Sequence, residues 1–280
     1  MSDHACDTIW ATFGHLRSQI VRERVDFSAN ARVYDRRHGA TISDTELGRL
    51  WVAAWLQAGA TVVDIGAGTG RVTIPLAGRG CNVVAVEAAP GMLAQLREKA
   101  GRIKVLPILA GASHLPFPGG RFDAVVIARL LYLTPDWPAI LAETRRVLAV
   151  GGSLLHEWGN GQIDEEWVQI REEARRLFEQ AGVPMPFHPG VRSETEVDEQ
   201  LEALGLHRDG EVEMGPGPAI TLRQFLRRVV DGELSYIWDV PTPVRAECLP
   251  RLQRWSEERF DVGRLMPIPR EVRWTIYRKA

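Results

Sequence analysis

The sequence is most informative at residues 61–70, which read Thr61-Val62-Val63-Asp64-Ile65-Gly66-Ala67-Gly68-Thr69-Gly70. Val62 and Val63 show no alternation with polar residues, which is typical of a central strand that is covered on both faces. Three alternating glycines follow directly. A glycine-rich turn between a buried strand and a helix lets the backbone approach a ligand closely. The stretch therefore predicts a nucleotide-type binding site in an α/β protein.

Short apolar runs alternate with amphipathic segments from about residue 60 to 158, the rhythm of a parallel sheet with crossover helices. The predicted strands are Thr61–Ile65, Asn82–Val86, Ile103–Leu109, Phe122–Ala128 and Ser153–Trp158, and the predicted helices between them are Gly70–Gly78, Pro90–Ala100 and Trp137–Leu148. Proline removes a hydrogen-bond donor from a sheet and is tolerated chiefly at its edges. Pro107 therefore predicts that the third strand is outermost.

Two carboxylates restrict which chemical class of ligand the site can bind. Glu87 follows the second strand, where an acid can bind a ribose diol. A dinucleotide fingerprint needs a third glycine, but the two possible frames place Arg71 or Thr73 there. Asp64 would repel a pyrophosphate, whereas it would attract a cationic amino group. These residues favour a ribose-bearing ligand with a positively charged end.

The pattern Asp64-x-Gly66-x-Gly68-x-Gly70 followed by Glu87 resembles the first two motifs of class I S-adenosylmethionine-dependent methyltransferases. The likeness continues through residues 115–126 and from Arg146-Val147-Leu148 to Gly151-Gly152. It is similar to the small-molecule branch that contains the ubiquinone and menaquinone biosynthesis enzymes (methyltransferase type 11). The resemblance implies a Rossmann-like, seven-stranded, mostly parallel sheet with helices on both faces, strand order 3-2-1-4-5-7-6, and a helical lid or insert. The antiparallel seventh strand is expected near Glu271–Arg278.

The same resemblance implies S-adenosylmethionine as the cofactor and assigns roles within its site. Asp64 and the glycine backbone would contact the methionine portion, Glu87 the ribose, Ala112-Ser113 the adenine, and Arg129-Leu130 the sulfonium. The complete expected set is Tyr34, Asp64, Gly66, Ala67, Gly68, Gly70, Glu87, Ala88, Met92, Ala112, Ser113, Arg129 and Leu130. Gly111 stands where many relatives carry an Asp that accepts the adenine amino proton, so Ser113 or a backbone carbonyl is expected to substitute.

The expected reaction is direct displacement, in which an acceptor atom attacks the sulfonium methyl group. His156 at the end of the fifth strand is the candidate catalytic base, and a histidine satisfied by local hydrogen bonds is the alternative. The predicted organisation is an N-terminal helical cover (1–59), a cofactor-binding core (60–158), and a substrate-side helical insert with the closing strands of the same domain (159–280). Within the cover, Ser43-Asp44-Thr45-Glu46 predicts a capping box at a helix start.

The charge and composition of the chain indicate which kinds of partner it binds. The net charge is −2 and the basic residues are dispersed, which argues against nucleic acid and favours a small-molecule methyl acceptor. No apolar run is long enough for a membrane span, and the N-terminus does not resemble a secretory signal, so a cytoplasmic protein is expected. The cysteines Cys6, Cys81 and Cys248 lack metal-ligand spacing, so no metal is expected. A non-catalytic S-adenosylmethionine-binding protein and a dinucleotide-dependent oxidoreductase are the alternatives.

Overall fold

A seven-stranded sheet forms the centre of the computed structural model, which describes residues 27–38, 41–158, 165–183, 190–214, 219–231, 237, 240–266 and 272–280. Its strands are β1 (Thr61–Ile65), β2 (Asn82–Glu87), β3 (Val105–Leu109), β4 (Phe122–Ala128), β5 (Leu148–Glu157), β6 (Leu206–Met214) and β7 (Val272–Lys279). They lie in the order β3-β2-β1-β4-β5-β7-β6, and only β7 runs antiparallel to its neighbours. The predicted fold and strand order are confirmed, with β3 at an edge.

Helices cover both faces of this sheet, and further helices form a group of their own. They are α1 (Ala31–His38), α2 (Asp44–Ala53), α3 (Thr73–Gly78), α4 (Pro90–Ala100), α5 (Trp137–Val147), α6 (Glu165–Gln180), α7 (Glu194–Ala203), α8 (Leu222–Val230) and α9 (Thr242–Arg259). Val63 packs in one apolar cluster with Leu141 of α5 and Leu201 of α7. Val62, the next residue along β1, packs in another with Leu50 of α2. This alternation produces the two covered faces.

Several predicted boundaries are wrong by a few residues. The helix expected from Gly70 begins at Thr73, because residues 70–72 are occupied by the turn that follows the glycines. The strand expected from Ile103 begins at Val105, since the Ile103 N–H donates to the Ala100 carbonyl and closes a turn. β5 begins earlier than expected, at Leu148, and its register against β4 shifts around the Gly151-Gly152 pair.

The capping box at the start of α2 is only half formed. Ser43 Oγ accepts from the Glu46 N–H at 3.1 Å, as a cap should. The Glu46 carboxylate does not return to the cap residue; it accepts from the Trp274 indole N–H of β7 at 2.8 Å. Both Glu46 and Trp274 are buried, so this contact ties α2 to the closing strand rather than completing the cap.

A second group of helices has an apolar core of its own. Phe178 of α6, Phe225 of α8 and Leu252 of α9 belong to one buried cluster that is separate from the two sheet-facing clusters. The two-residue strands Ile220–Thr221 and Leu265–Met266 pair at its base. The sequence predicted a substrate-side helical insert in this region, of which residues 159–164 lie outside the described residues. We call α6, α8 and α9 the helical insert.

Within the described residues, three further features bear on function: helix length, free thiols and possible metal ligands. None of the helices in these ranges combines the length and the apolar character that a bilayer crossing needs. Cys81 and Cys248 are buried free thiols, and Cys6 lies outside the described ranges. No group of three or more His, Cys, Asp or Glu side chains within the described part of the chain is arranged to hold a metal ion.

Candidate active site

A cleft opens along the carboxyl ends of the parallel strands, where open α/β folds bind their ligands. Its empty volume, which includes space open to bulk solvent, is about 820 Å³. It is lined by Phe27, Tyr34, Gly66, Gly68, Glu87, Ala88, Met92, Gly111, Ala112, Ser113, Leu130, Leu133, Thr134, Asp136 and Ile140. We call the part at Gly66 and Gly68 the inner end, and the part at Gly111–Ser113, Thr134 and Asp136 the outer end.

The glycine loop forms the floor of the inner end. The N–H groups of Gly66 and Ala67 both donate to the Val86 carbonyl, which holds the loop against β2. Gly68 and Gly70 both have positive φ, 55° and 88°, which favours glycine. A Cβ at Gly68 would meet nothing within 4 Å, whereas one at Gly70 would lie 3.0 Å from Ile74 Cδ1. Gly68 therefore keeps space open for a ligand, and Gly70 permits close packing of the turn.

Glu87 joins the end of β2 to the glycine loop. Its carboxylate accepts from the Gly68 N–H and from the Ala89 N–H, both at 2.9 Å. Burial raises the pKa of Glu87, and the hydrogen bonds from the backbone of Ala89 and Gly68 oppose that rise. These two bonds fix the direction of a carboxylate that lines the cleft.

Asp64 lies beneath the glycine loop and is only 2% exposed. Its carboxylate accepts from the Thr73 hydroxyl at 2.6 Å. Burial raises its pKa to about 6, opposed by the Thr73 hydrogen bond and by the positive charge of Arg71. Asp64 does not line the cleft, so any influence on a ligand is electrostatic and acts through the loop.

Residues 27–38 lie across the cleft and are anchored at several points. Asp35 pairs with Lys99 Nζ at 2.6 Å and accepts from the Thr69 hydroxyl at 2.5 Å. Ser28 Oγ accepts from the Gly91 N–H at 3.2 Å. Tyr34, predicted from the sequence, lines the cleft in edge-to-face contact with the ring of Phe27, and burial raises its pKa. The contribution of Phe27 was not predicted.

A buried ion cluster that the sequence did not reveal lies behind the inner end. The carboxylate of Glu157, at the end of β5, is fully buried and pairs with both Arg71 and Arg129. Arg129 Nε donates to Glu157 Oε1 at 2.8 Å, and the Arg129 N–H donates to the Glu157 carbonyl at 3.0 Å. Burial and the nearby Arg129 charge lower the pKa of Arg71 to about 10. The cluster joins the glycine turn to the ends of β4 and β5.

Arg129, predicted to lie beside the sulfonium, has an unusual backbone conformation and a buried ion-pair partner. Its φ is 56°, a left-handed conformation that is uncommon for a residue with a side chain. The side chain is directed to Glu157 and does not line the cleft, whereas its neighbour Leu130 does. Tyr132 lies near the same charges: burial raises its pKa, and the positive charges of Arg129 and Arg71 oppose the rise.

His156, the candidate base, lies outside the lining of the cleft. It is 3% exposed, and its ring contacts Trp158 edge-on with centroids 6.1 Å apart. Burial lowers its pKa to about 4, opposed by the charge of Asp198. The imidazole is therefore neutral at pH 7 and faces Trp158.

The structure brings together most of the residues predicted for the cofactor. Those that line the cleft are Tyr34, Gly66, Gly68, Glu87, Ala88, Met92, Ala112, Ser113 and Leu130. Asp64, Ala67, Gly70 and Arg129 lie behind it, with Ala67 packed against Ala85 and Leu93. Thr134 and Asp136 at the outer end were not predicted, although they follow a strand whose carboxyl end faces the site.

Comparison with known proteins agrees with this geometry. Residues 62–152 match a family model described as a methyltransferase domain. This part of the chain is a methyltransferase domain. The predicted resemblance to class I S-adenosylmethionine-dependent methyltransferases is thereby confirmed.

Curated relatives of residues within this region are named methyltransferases. The demethylmenaquinone methyltransferase of Thermus thermophilus is 42% identical over 98 residues, which is 34% of this chain and 44% of the relative. An uncharacterized methyltransferase of Mycobacterium tuberculosis is 33% identical over 140 residues, 48% of this chain and 56% of the relative. The matches thus span about half the length of these relatives.

Solved structures show the same fold over more of the chain. The YcgJ protein of Bacillus subtilis is 18% identical with a TM-score of 0.56, covering 85% of this chain and 99% of that one. The phosphoethanolamine N-methyltransferase 2 of Haemonchus contortus, solved with S-adenosylhomocysteine, is 16% identical with a TM-score of 0.53, covering 90% and 57%. At these identities the likeness concerns the fold.

Proposed function

We propose that this protein transfers a methyl group from S-adenosylmethionine to a small-molecule acceptor by direct displacement. The observation that carries the proposal is the shared position of Gly66, Gly68 and Glu87 on one cleft. A fixed carboxylate can accept from ribose hydroxyls, and the open space above Gly68 admits a ligand close to the backbone. Asp64 beneath the loop suits a ligand with a cationic end.

The residues of this chain bind, orient and exclude water. When bound, S-adenosylmethionine would supply a methyl group on a sulfonium, from which the neutral thioether of S-adenosylhomocysteine leaves, so a dedicated protein base is optional. Holding two reactants in line can reach effective molarities of about 10⁵ M or more. Phe27 and Tyr34 of segment 27–38 line the cleft, where we expect their rings to exclude water from a bound ligand. His156, buried and neutral, takes no part in the proposed step.

The acceptor is proposed to enter beside the loop that follows β4. In that loop the carbonyls of Leu131 and Tyr132 accept from the N–H groups of Val191 and Gly190, at 3.2 Å and 3.1 Å. The chain that follows the first helix of the insert therefore lies against the wall of the cleft. This position supports an acceptor-side role for residues 159–280. The names of the demethylmenaquinone methyltransferase relatives support a small organic acceptor.

Titration calorimetry with S-adenosylhomocysteine tests the cofactor assignment. Glu87→Ala removes charge-assisted hydrogen bonds worth about 1.5–3 kcal/mol, so affinity should fall about 10- to 150-fold. Glu98→Ala, which removes an exposed carboxylate of α4, is the control and should leave affinity unchanged. Equal affinity of wild type and Glu87→Ala would contradict the role of Glu87.

Turnover distinguishes an enzyme from a protein that only binds the cofactor. Incubation of the protein with methyl-labelled S-adenosylmethionine and a panel of small acceptors should yield a labelled product. A thermal-shift assay compares S-adenosylhomocysteine with NADH, since a preferred ligand raises the melting temperature by mass action. Stabilisation by NADH and none by S-adenosylhomocysteine would overturn the proposal.

A further inference from the structure

The loop after β3 brings no carboxylate to the outer end of the cleft. It offers Gly111, Ala112 and the hydroxyl of Ser113, which lies 3.4 Å from His114 Nδ1. A hydroxyl both donates and accepts hydrogen bonds, so it can bind an amino group or a carbonyl oxygen equally well. Ser113 alone would therefore not select adenine over a 6-oxopurine.

Asp136 supplies a carboxylate from a different strand connection. It is exposed, precedes α5 and lines the same cleft. Its side chain does not cap α5, although residues at this position commonly do so. Its backbone is held on both sides, because its N–H donates to Thr134 Oγ1 at 3.3 Å and its carbonyl accepts from the Ile140 N–H at 3.1 Å.

The loops after β3 and β4 contribute to one apolar cluster, and Gly111 and Asp136 both line the cleft. Ala110 and Ala112 flank Gly111, and both pack against this cluster. Trp137, next to Asp136, packs against it too, and Ile140 is buried within it. Gly111, which stands where many relatives carry an Asp, and Asp136 therefore both line the outer end of the cleft.

We propose that Asp136 accepts a hydrogen bond from the exocyclic amino group of the adenine and makes the cleft selective for adenine. An ionised carboxylate only accepts hydrogen bonds, so it favours the amino group and repels a carbonyl oxygen. This inference rests on the proposed function. It adds the residue that selects the base, which in this chain lies after β4 instead of after β3.

A paired titration tests the assignment with S-adenosylhomocysteine and S-inosylhomocysteine, in which a carbonyl oxygen replaces the amino group. The full-length wild type should prefer the adenine compound by about tenfold or more. Asp136→Asn offers an amide that can donate to the carbonyl oxygen, so this preference should shrink to about twofold or less. Asp136→Ala, which can neither donate nor accept, should lose the preference as well.

Two matched controls separate this role from loss of charge and from Ser113. Asp44→Asn removes an exposed acid from the first turn of another helix, and Ser113→Ala removes the competing hydroxyl. Both should keep the wild-type preference. Retention of the preference in Asp136→Asn, its loss in Ser113→Ala, or equal wild-type binding of the two compounds would overturn the inference. Failure of wild type to bind S-adenosylhomocysteine would instead contradict the proposed function.

Discussion

The two ends of the cleft differ in how deeply their charged groups are buried. Behind the inner end, Glu157 is fully buried and Asp64 is 2% exposed, and both are bonded to other side chains. At the outer end, Asp136 is exposed and Ser113 is only partly buried. Buried charges are linked to the stability of the fold, whereas exposed ones are not. The inner end should therefore report on folding as well as binding, and the outer end on binding alone.

The largest expected effect is at Glu157. Glu157→Leu leaves the guanidinium groups of Arg71 and Arg129 buried without their carboxylate, which should lower the free energy of unfolding by about 3–5 kcal/mol. Urea unfolding followed by tryptophan fluorescence measures this change. Glu172→Gln, which breaks an exposed pair with Arg175, is the control and should cost about 0.2–1 kcal/mol. Similar losses in both variants would remove the contrast between buried and exposed charges.

The pH dependence of stability sharpens the description of the buried groups. The folded pKa of Asp64 is raised to about 6, so its favourable contribution is present below its unfolded pKa and is lost as pH rises through 6. The folded pKa of His156 is lowered to about 4, so its contribution is present above about 6.5 and is lost as pH falls towards 4. Between pH 4 and 6 the two groups oppose each other.

Single variants should reveal each contribution, about 3 kcal/mol for Asp64 and about 3.5 kcal/mol for His156 at about 1.4 kcal/mol per pKa unit. In Asp64→Asn the free energy of unfolding should rise more steeply than in wild type from pH 4 to 6. In His156→Gln it should fall over the same range. Urea unfolding at several pH values provides the curves. Parallel curves for wild type and the two variants would show that burial does not shift the pKa of either group as described.

The smallest effect is expected at the outer end. Asp136→Asn should change the free energy of unfolding by less than about 0.5 kcal/mol, because the side chain is exposed and does not cap α5. The same urea measurement applies, with wild type as the reference. A loss of more than 1 kcal/mol would mean that this end of the cleft is also part of the stability of the fold.

The part of the fold that the sequence predicted is the part with strict local requirements. β1, β2 and β4 are short apolar runs, and β1 is followed by glycines with positive φ; such signals are local in sequence. β6 was not located because Leu206 and Val212 are its buried hydrophobic residues among polar neighbours, so no period of two is visible. Its pairing with β7 depends on residues 58 to 73 positions away.

The candidate site divides in the same way. Gly68 and Glu87 could be predicted because a motif places them, whereas Tyr34 was expected only from the family resemblance. The pairing of Glu157 with Arg71 and Arg129 had no such signal, since it joins the ends of strands through tertiary contacts. For the same reason His156 was predicted from its position at a strand end, although its side chain faces Trp158 and lies outside the lining of the cleft.

The anchoring of segment 27–38 bears on how fast a bound molecule dissociates. Phe27 and Tyr34 of this segment line the cleft, while Asp35 and Ser28 attach it to Lys99, Thr69 and Gly91. On the proposed function, a molecule bound against Phe27 and Tyr34 should dissociate more slowly while those attachments persist. The residence time of product should then depend on a few partly buried polar contacts.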